Sequence, residues 1–131
     1  MKLKFTFIAI LAMLFGFTFT ANAQQVEVST LEALQNALKG EGSSVVITET
    51  IVIPQGETVV LDLNGKTVTR LDETNKYAIN NLGTLTIQDT KGNGSINARG
   101  IYNGYGNGGA NVSTAKITVL SGTINAKGTN G

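Results

Sequence analysis

The feature that most constrains the fold is a near-repeat in the second half of the chain. The stretch Leu85-Thr86-Ile87-Gln88 returns after 32 positions as Ile117-Thr118-Val119-Leu120, and Gly94-Ser95-Ile96-Asn97-Ala98 returns after 28 as Gly122-Thr123-Ile124-Asn125-Ala126. The difference indicates an insertion of about four residues, 89–92, in the first copy. Self-similarity at spacings of ~20–50 residues is typical of stacked arrays, in which each repeat buries its apolar face against a neighbour. The repeat therefore constrains the architecture and leaves the function open.

The first 23 residues have the layout of a secretory signal peptide. Lys2 and Lys4 precede a mainly apolar stretch, 5–19, and Ala21-Asn22-Ala23 then supplies small residues two apart. The apolar stretch is shorter than the ~20 residues that a bilayer-spanning helix needs. We therefore expect a signal peptide at 1–23, cleavage after Ala23 and one mature domain at 24–131. The mature protein is expected to be secreted or at the cell surface, with no membrane attachment.

Charge and cysteine content narrow the possible partners. Without Lys2 and Lys4, the mature chain carries eight basic and nine acidic groups. No basic surface is expected, so nucleic acid is not a predicted partner. The chain contains no cysteine. It therefore lacks both disulfides and a lipidated cysteine, and its stability has to come from stacking, hydrogen-bond ladders or a partner.

One amphipathic helix is predicted at about 30–39. Ser29-Thr30-Leu31-Glu32 fits a capping box, in which the Ser29 hydroxyl accepts from the amide of Glu32. Leu31, Leu34 and Leu38 share one face, and Gly40 suits the left-handed residue after a helix end. Such a helix could cover the apolar end of a strand array.

From residue 44 onward the pattern is one of short strands and turns rich in glycine and asparagine. Many short strands fit either a β-sandwich or barrel, or a parallel β-solenoid. Asn64-Gly65 is also a hairpin signal, so this turn alone does not decide between them. The repeat favours the solenoid, because only there do like positions stack on one another, ~4.8 Å apart.

Four asparagines near predicted strand ends fit this interpretation: Asn80, Asn97, Asn103 and Asn125. Stacked amides form hydrogen-bonded ladders in repetitive structures, although asparagine is also a common turn residue. We expect a ladder contact above all between Asn97 and Asn125.

The chain resembles right-handed parallel β-helix proteins of the pectate-lyase-like superfold, and within it exported bacterial proteins described as adhesin-like. The resemblance covers nearly all of 26–131 and rests on 31–38 as a cap helix, 61–68 as an early coil, and 80–87 and 121–125 as later coils. It implies an all-β fold: a right-handed parallel β-helix, with coils over about 44–131, behind an N-terminal capping α-helix. These motifs are specific for the coil and not for an activity.

Enzymes of this superfold act mostly on polysaccharides through carboxylate clusters, and glycoside hydrolysis needs two carboxyl groups ~5–9.5 Å apart. Asp62, predicted to face outward, and Asp89, at a strand end, are the candidates. No Asp-Asp pair or histidine exists in the chain, and Arg70 and Arg99 lie in no lyase motif. We interpret the carboxylates as part of a solvated face and predict no catalytic residues.

Other chemistry is weakly supported. The glycine-rich stretches 92–94 and 104–109 lack the aspartates of a calcium-binding nonapeptide repeat and the Gly-Lys-Ser/Thr ending of a phosphate loop. We therefore predict no metal site and no cofactor. Three Thr-x-Thr pairs suggest ice binding: 48/50, 67/69 and 84/86. However, threonine is also a common outward residue of strands, and the three pairs do not share one coil position.

The irregular stretch 102–113 carries the candidate binding residues Tyr102, Tyr105 and Asn107. Insertions in solenoids form loops that often lie on the binding face. Tyrosine rings stack on sugars and amides meet their hydroxyls. The alternative is a glycine-rich connector with Tyr102 packed at a coil corner.

The sequence favours a non-catalytic, exported β-helix that serves adhesion, with glycans or cell-surface proteins as partners. The alternative is the N-terminal part of a polysaccharide lyase or glycoside hydrolase whose active coils lie beyond residue 131. Because Thr129-Asn130-Gly131 directly follows a predicted coil, we expect either a fragment of a longer protein or self-association through an open C-terminal coil.

Overall fold

The computed structural model describes residues 18–20, 25–104 and 114–128. Within these ranges the chain forms short β-strands and one helix. Their bounds are β1 Thr18–Thr20, β2 Gln25–Val28, α1 Leu31–Lys39, β3 Ser44–Ile47, β4 Ile51–Ile53, β5 Thr58–Asp62, β6 Thr67–Arg70, β7 Ile79–Asn81, β8 Thr84–Gln88, β9 Ser95–Ala98, β10 Ile101–Asn103, β11 Lys116–Val119 and β12 Thr123–Ala126.

The largest sheet has six strands in the order β1-β2-β3-β6-β9-β12. β1 pairs antiparallel with β2, and every further pair in this sheet is parallel. The register aligns Ile124 with Ile96 and Asn125 with Asn97. The repeat therefore does place like residues on like residues in neighbouring parallel strands.

Two three-stranded sheets complete the fold. The middle sheet has the order β10-β7-β4 and the third sheet β11-β8-β5, and all their pairs are parallel. From β3 onward the chain visits the main, middle and third sheets in that order, three times, and then returns to the main sheet at β12. The prediction of an all-β fold with one helix is confirmed, and the sheets are parallel.

The turn 64–65 illustrates why its hairpin signal misleads. Asn64 and Gly65 both adopt positive φ, 53° and 74°, as a two-residue hairpin turn would require. The strands on either side, β5 and β6, nevertheless belong to different sheets. The same backbone conformation here bends the chain around a corner.

The insertion inferred from the repeat is also visible in the register. Leu85 pairs with Ile117, 32 positions later, and Ser95 pairs with Thr123, 28 positions later. The additional residues therefore lie in the turn between β8 and β9, and the strands on both sides remain paired. A change of turn length leaves the ladder intact.

Alternation along the strands builds the core. Inward positions in the main sheet form the register column Val26, Val45, Val68, Ile96 and Ile124. The first four are at most 4% exposed, and Ile124 is partly buried against the same cluster. Each buried aliphatic side chain contributes about 1.5–3 kcal/mol through loss of water-accessible surface.

The helix is present, but both of its predicted caps were wrong. The N-cap is Thr30, not Ser29, and its Oγ1 accepts from the amide of Ala33 at 3.1 Å. Gly40 has φ −77° and is extended, not left-handed. The helix buries its apolar face, which consists of Ala33, Leu34, Ala37 and Leu38.

Two polar side chains of the β5–β6 turn hold the end of the helix. Asn64 Nδ2 donates to the carbonyl of Leu38 at 3.0 Å. Lys66, only 5% exposed, donates from Nζ to the carbonyls of Gly40 (2.7 Å) and Gly42. Burial, with a smaller contribution from the charge of Lys91, lowers the pKa of Lys66. These contacts satisfy carbonyls that a helix end leaves without partners.

Some predicted boundaries differ from the structure. The sequence pattern over 77–80 predicts a strand, but β7 spans Ile79–Asn81, so Tyr77 lies before it. The start of the stretch predicted to be irregular is strand β10, while 105–113 lie outside the described residues. Most of the predicted signal peptide, including its cleavage site, also lies outside them. Its residues 18–20 form β1.

Asparagine ladders occur at two places. Asn125 Nδ2 donates to Asn97 Oδ1 at 2.8 Å, which confirms the predicted contact. Asn103 accepts in the same way from Asn81, not from Asn80, also at 2.8 Å. The ladder contains Asn81 because that residue points inward at the end of β7 and is fully buried.

Gly83 gives a test of how tightly neighbouring corners pack. A Cβ at this position would lie within 3 Å of the carbonyl oxygens of Pro54 and Glu57, whereas Gly56, with φ +86°, has open space around it. We expect Gly83→Ala to lower the free energy of unfolding by about 2–3 kcal/mol because backbone must move. Gly56→Ala should cost only about 1–2 kcal/mol, from its left-handed conformation. Urea denaturation measures both, and equal losses would contradict the packing described here.

Candidate functional site

Tyr102, the one predicted binding residue within the described ranges, lies on the outer face of the middle sheet. In β4, β7 and β10 the central positions point outward, and the register aligns Val52, Asn80 and Tyr102. Val52 is 49% exposed, while Asn80 and Tyr102 are half-buried. The three side chains therefore form a row across the sheet at the ~4.8 Å spacing of neighbouring strands.

A second tyrosine and an arginine flank this row. The rings of Tyr77 and Tyr102 meet edge to face, with centroids 4.9 Å apart and planes at 65°. The guanidinium carbon of Arg99 lies 5.0 Å from the centroid of the Tyr77 ring. We call Tyr77, Tyr102 and Arg99 the tyrosine cluster. Aromatic pairs and a cation over a ring each add about 0.5–1.5 kcal/mol beyond burial, so the cluster is a fixed surface.

Next to the tyrosine cluster, the corner between the main and middle sheets contains an open concavity of about 460 Å³. We call it the corner concavity. Its lining comes from the β3–β4 turn and the β6–β7 connection, and comprises Thr48, Glu49, Thr50, Arg70, Leu71, Asp72 and Lys76. Thr50 Oγ1 donates to the carbonyl of Tyr77 at 2.8 Å. The concavity and the tyrosine cluster therefore share one stretch of backbone, 76–77.

Arg70 is the unusual member of the lining. It takes an inward position at the end of β6, where its register partner in β3 is Ile47, and it is only 6% exposed. Its Nη1 lies within hydrogen-bond distance of the carbonyl oxygens of Ile47 (3.2 Å), Thr48 (2.8 Å) and Leu71 (2.9 Å). Buried arginines are usually paired with a carboxylate. Here backbone carbonyls of the corner take that place.

Of the three predicted binding residues, the structure places one. Tyr102 lies in β10 and packs edge-on against Tyr77. Tyr105 and Asn107 lie outside the described residues, so their predicted role stays a prediction. Tyr77 and Arg99 were not predicted to belong to a binding surface. Their signal was weak, since Tyr77 was assigned to a strand and Arg99 was considered only as a lyase base.

The carboxylate of Asp62 is used in a turn. Its Oδ1 accepts from the amides of Asn64 (2.9 Å) and Thr90 (3.0 Å), and its Oδ2 accepts from Gln88 Nε2 at 3.2 Å. The hydrogen bond from the Thr90 amide is the main cause of a lowered pKa at Asp62. Asp62 therefore ties the β5–β6 turn to the next turn along the stack.

Asp89 corrects the interpretation of these carboxylates as a solvated face. It is only 8% exposed, and its two oxygens accept from the amides of Gly65 (2.7 Å) and Gly94 (2.6 Å). Its own amide donates to Ser121 Oγ at 2.8 Å. Asp89 thus connects three successive turns, because a buried carboxylate needs charge-assisted donors to offset its desolvation.

The remaining sequence candidates do not form a site in the described part of the chain. No group of three potential metal ligands occurs there. The threonine pairs are distributed over a turn (48/50), the main sheet (67/69) and the third sheet (84/86), as their spacing had indicated. Within the described residues, no helix is long and apolar enough to cross a membrane.

No protein-family model, curated protein or solved structure matches this chain.

Asp62 makes stability depend on pH in a defined direction. Its folded-state pKa lies below the ordinary value of 3.8. The stabilisation is therefore fully present above pH 3.8 and is lost as the pH falls through the folded pKa. We expect Asp62→Asn to lower the midpoint of thermal unfolding at pH 7 by a few degrees, and this deficit to shrink below pH 3.8.

Thermal unfolding of wild type and variant between pH 2.5 and 7 measures the effect. Glu57→Gln is the matched control, because Glu57 is an exposed acidic residue in the connection before β5. A deficit for Asp62→Asn that stays constant down to pH 2.5 would show that the carboxylate charge is not its cause.

Proposed function

We propose that this chain is a right-handed parallel β-helix, closed at one end by α1, and that it serves as a non-catalytic, exported scaffold that binds glycans. The threefold recurrence of main, middle and third sheet in the same order supports the β-helix. In-register parallel pairing across all three sheets supports it as well. Right-handed crossovers are the rule for parallel strands.

The capping role of α1 is supported by its packing. The apolar face of the helix is part of the same buried cluster as β2–β5. Asn64 and Lys66 fix its C-terminal end to the β5–β6 turn. A solenoid needs such a cover, because its first coil otherwise exposes an apolar end to water.

The observation that carries the binding proposal is the tyrosine cluster on the outer face of the middle sheet. Tyr102 stands in a row with Val52 and Asn80. Its ring packs edge-on against Tyr77, and Arg99 lies over the Tyr77 ring. Sugars are bound by apolar ring faces combined with a few polar groups that meet hydroxyls. This surface combines both, and its row Val52, Asn80 and Tyr102 lies on paired strands.

The two acidic candidates support a non-catalytic role. Both carboxylates accept hydrogen bonds from backbone amides, including amides of neighbouring turns. A general acid or nucleophile has to be free to meet a substrate. Export and display at the cell surface are also part of the proposal, and their only support is the signal-peptide pattern of the sequence.

A glycan array with the full mature chain tests the binding proposal, followed by titration calorimetry on the best ligand. We expect Tyr102→Ala and Tyr77→Ala each to weaken that ligand at least about tenfold, since aromatic anchors dominate binding surfaces. Tyr105→Ala is expected to weaken it as well. Val60→Ala is the control, because Val60 is exposed on the third sheet.

Circular dichroism shows whether each variant keeps its fold. An array without signal at high protein concentration would refute glycan binding. Wild-type affinity in a folded Tyr102→Ala variant would place the binding surface elsewhere.

A further inference from the structure

We propose that Asn64 and Asn93 are latent deamidation sites and that the carboxylate of Asp89 protects both of them. Each of these asparagines precedes a glycine. Asp89 accepts a hydrogen bond from the backbone amide of that glycine in both turns. The proposal concerns the chemical durability of the two turns and does not depend on glycan binding.

Deamidation converts an asparagine to aspartate or isoaspartate. The backbone nitrogen of the following residue gives up its proton and attacks the side-chain carbon Cγ. The N–Cγ bond forms, the Cγ–Nδ2 bond breaks, and the amide nitrogen takes up a proton and leaves as ammonia. Water then opens the resulting succinimide at either of its two carbonyl groups. A following glycine favours ring closure, because it has no side chain to hinder the approach of its nitrogen.

Five asparagine–glycine pairs occur in the chain, at 64–65, 93–94, 103–104, 107–108 and 130–131. The first three lie within the described residues. In the third pair the amide of Gly104 donates to the backbone carbonyl of Asn81 at 2.8 Å. This pair provides an internal comparison, because its glycine amide is bound without Asp89.

The first argument is the position of the two carboxylate oxygens. Asp89 Oδ1 accepts from the amide of Gly65 at 2.7 Å, and Oδ2 accepts from the amide of Gly94 at 2.6 Å. These two nitrogens are the atoms that would attack Asn64 and Asn93. Removing the proton would break a charge-assisted hydrogen bond and leave two negative charges in contact. Both nitrogens therefore keep their protons while the carboxylate is in place.

The second argument is that both turns need the reactive pair. Asn64 and Asn93 have left-handed φ, 53° and 66°, which asparagine tolerates better than most residues. Gly65 also has a positive φ, 74°. A Cβ on Gly94 would lie only 2.8 Å from Cγ and Oδ1 of Asp89. Other residues would strain these turns, so protection has to come from a neighbouring group.

The two asparagines differ in how their side chains are held. Asn64 Nδ2 donates to the carbonyl of Leu38 at 3.0 Å, which ties its side-chain amide to the end of α1. Asn93, by contrast, is exposed to solvent. Without Asp89, Asn64 would keep this second restraint, so we expect Asn93 to become the more reactive of the two.

Peptide mapping by mass spectrometry tests the proposal on the full chain, kept at pH 8.5 and 37 °C. Aspartate and isoaspartate are quantified at each asparagine over time. We expect Asp89→Ala to raise the deamidation rate at Asn93 at least about tenfold, the rate equivalent of one lost charge-assisted hydrogen bond. The rate at Asn64 should rise less, and the rate at Asn103 should stay that of the wild type.

Two further variants separate loss of the carboxylate from loss of stability. Gly83→Ala is the matched control, because it destabilises a distant corner and leaves Asp89 in place. Its rate at Asn93 should equal that of the wild type. Asp89→Asn keeps the shape of the side chain but only one acceptor oxygen and no charge, so at least one of the two protected sites should react faster. Circular dichroism shows which variants fold.

If neither Asp89 variant folds, the wild-type chain still decides. Deamidation at Asn93 should then be at least about tenfold slower in the folded chain than in denaturing urea, and equal rates would refute the proposal. Unchanged rates at both sites in a folded Asp89→Ala variant would refute it as well. An equal acceleration at Asn103, or in Gly83→Ala, would assign the protection to folding in general and overturn the role of Asp89.

Discussion

Parallel pairing in register is the constraint on which the rest of this structure depends. Once β3, β6, β9 and β12 lie side by side without slippage, the inward positions of the main sheet become the column Val45, Val68, Ile96 and Ile124. A shift by one residue would turn that whole column toward water, because side chains alternate with a period of two. The apolar core thus fixes the register, and the register in turn brings chemically similar residues of distant parts of the chain into contact. The asparagine contact between 97 and 125 is one product, and the row of outward residues on the middle sheet is another.

The corners of the stack are held by polar contacts that the strands do not provide. Asp62 and Asp89 each bind amides of a neighbouring turn, and Lys66 binds carbonyls near the end of the helix. These groups form hydrogen bonds with backbone polar atoms where the strand ladders end. A buried backbone group without a hydrogen-bond partner would be destabilising. Arg70 belongs to the same class through its Nη1, yet it differs from the others because one edge of its guanidinium has no partner among the described residues.

Much of the fold could be predicted from the residues, and the reasons for the failures are physical. The repeat predicted the parallel register, the 32- and 28-residue offsets and the Asn97–Asn125 contact, because those depend on periodicity alone. The N-cap was wrong because Ser29 and Thr30 are neighbours that both belong to the preferred cap types, so the local pattern does not single out Thr30. The role of Asp89 could not be foreseen, since its partners Gly65 and Gly94 come from different turns. For Arg70, alternation with Val68 gives its inward direction. Only the assembled corner shows which backbone carbonyls accept hydrogen bonds from the guanidinium of Arg70 and that its Nε has no partner.

The four additional residues in the turn between β8 and β9 have a consequence for how such a chain can diversify. Both flanking strands keep their partners although the connection differs in length from its later copy. A corner can therefore differ in length between two copies while the ladder underneath keeps its register. New surface chemistry can be acquired one corner at a time, with no need to rebuild the interior.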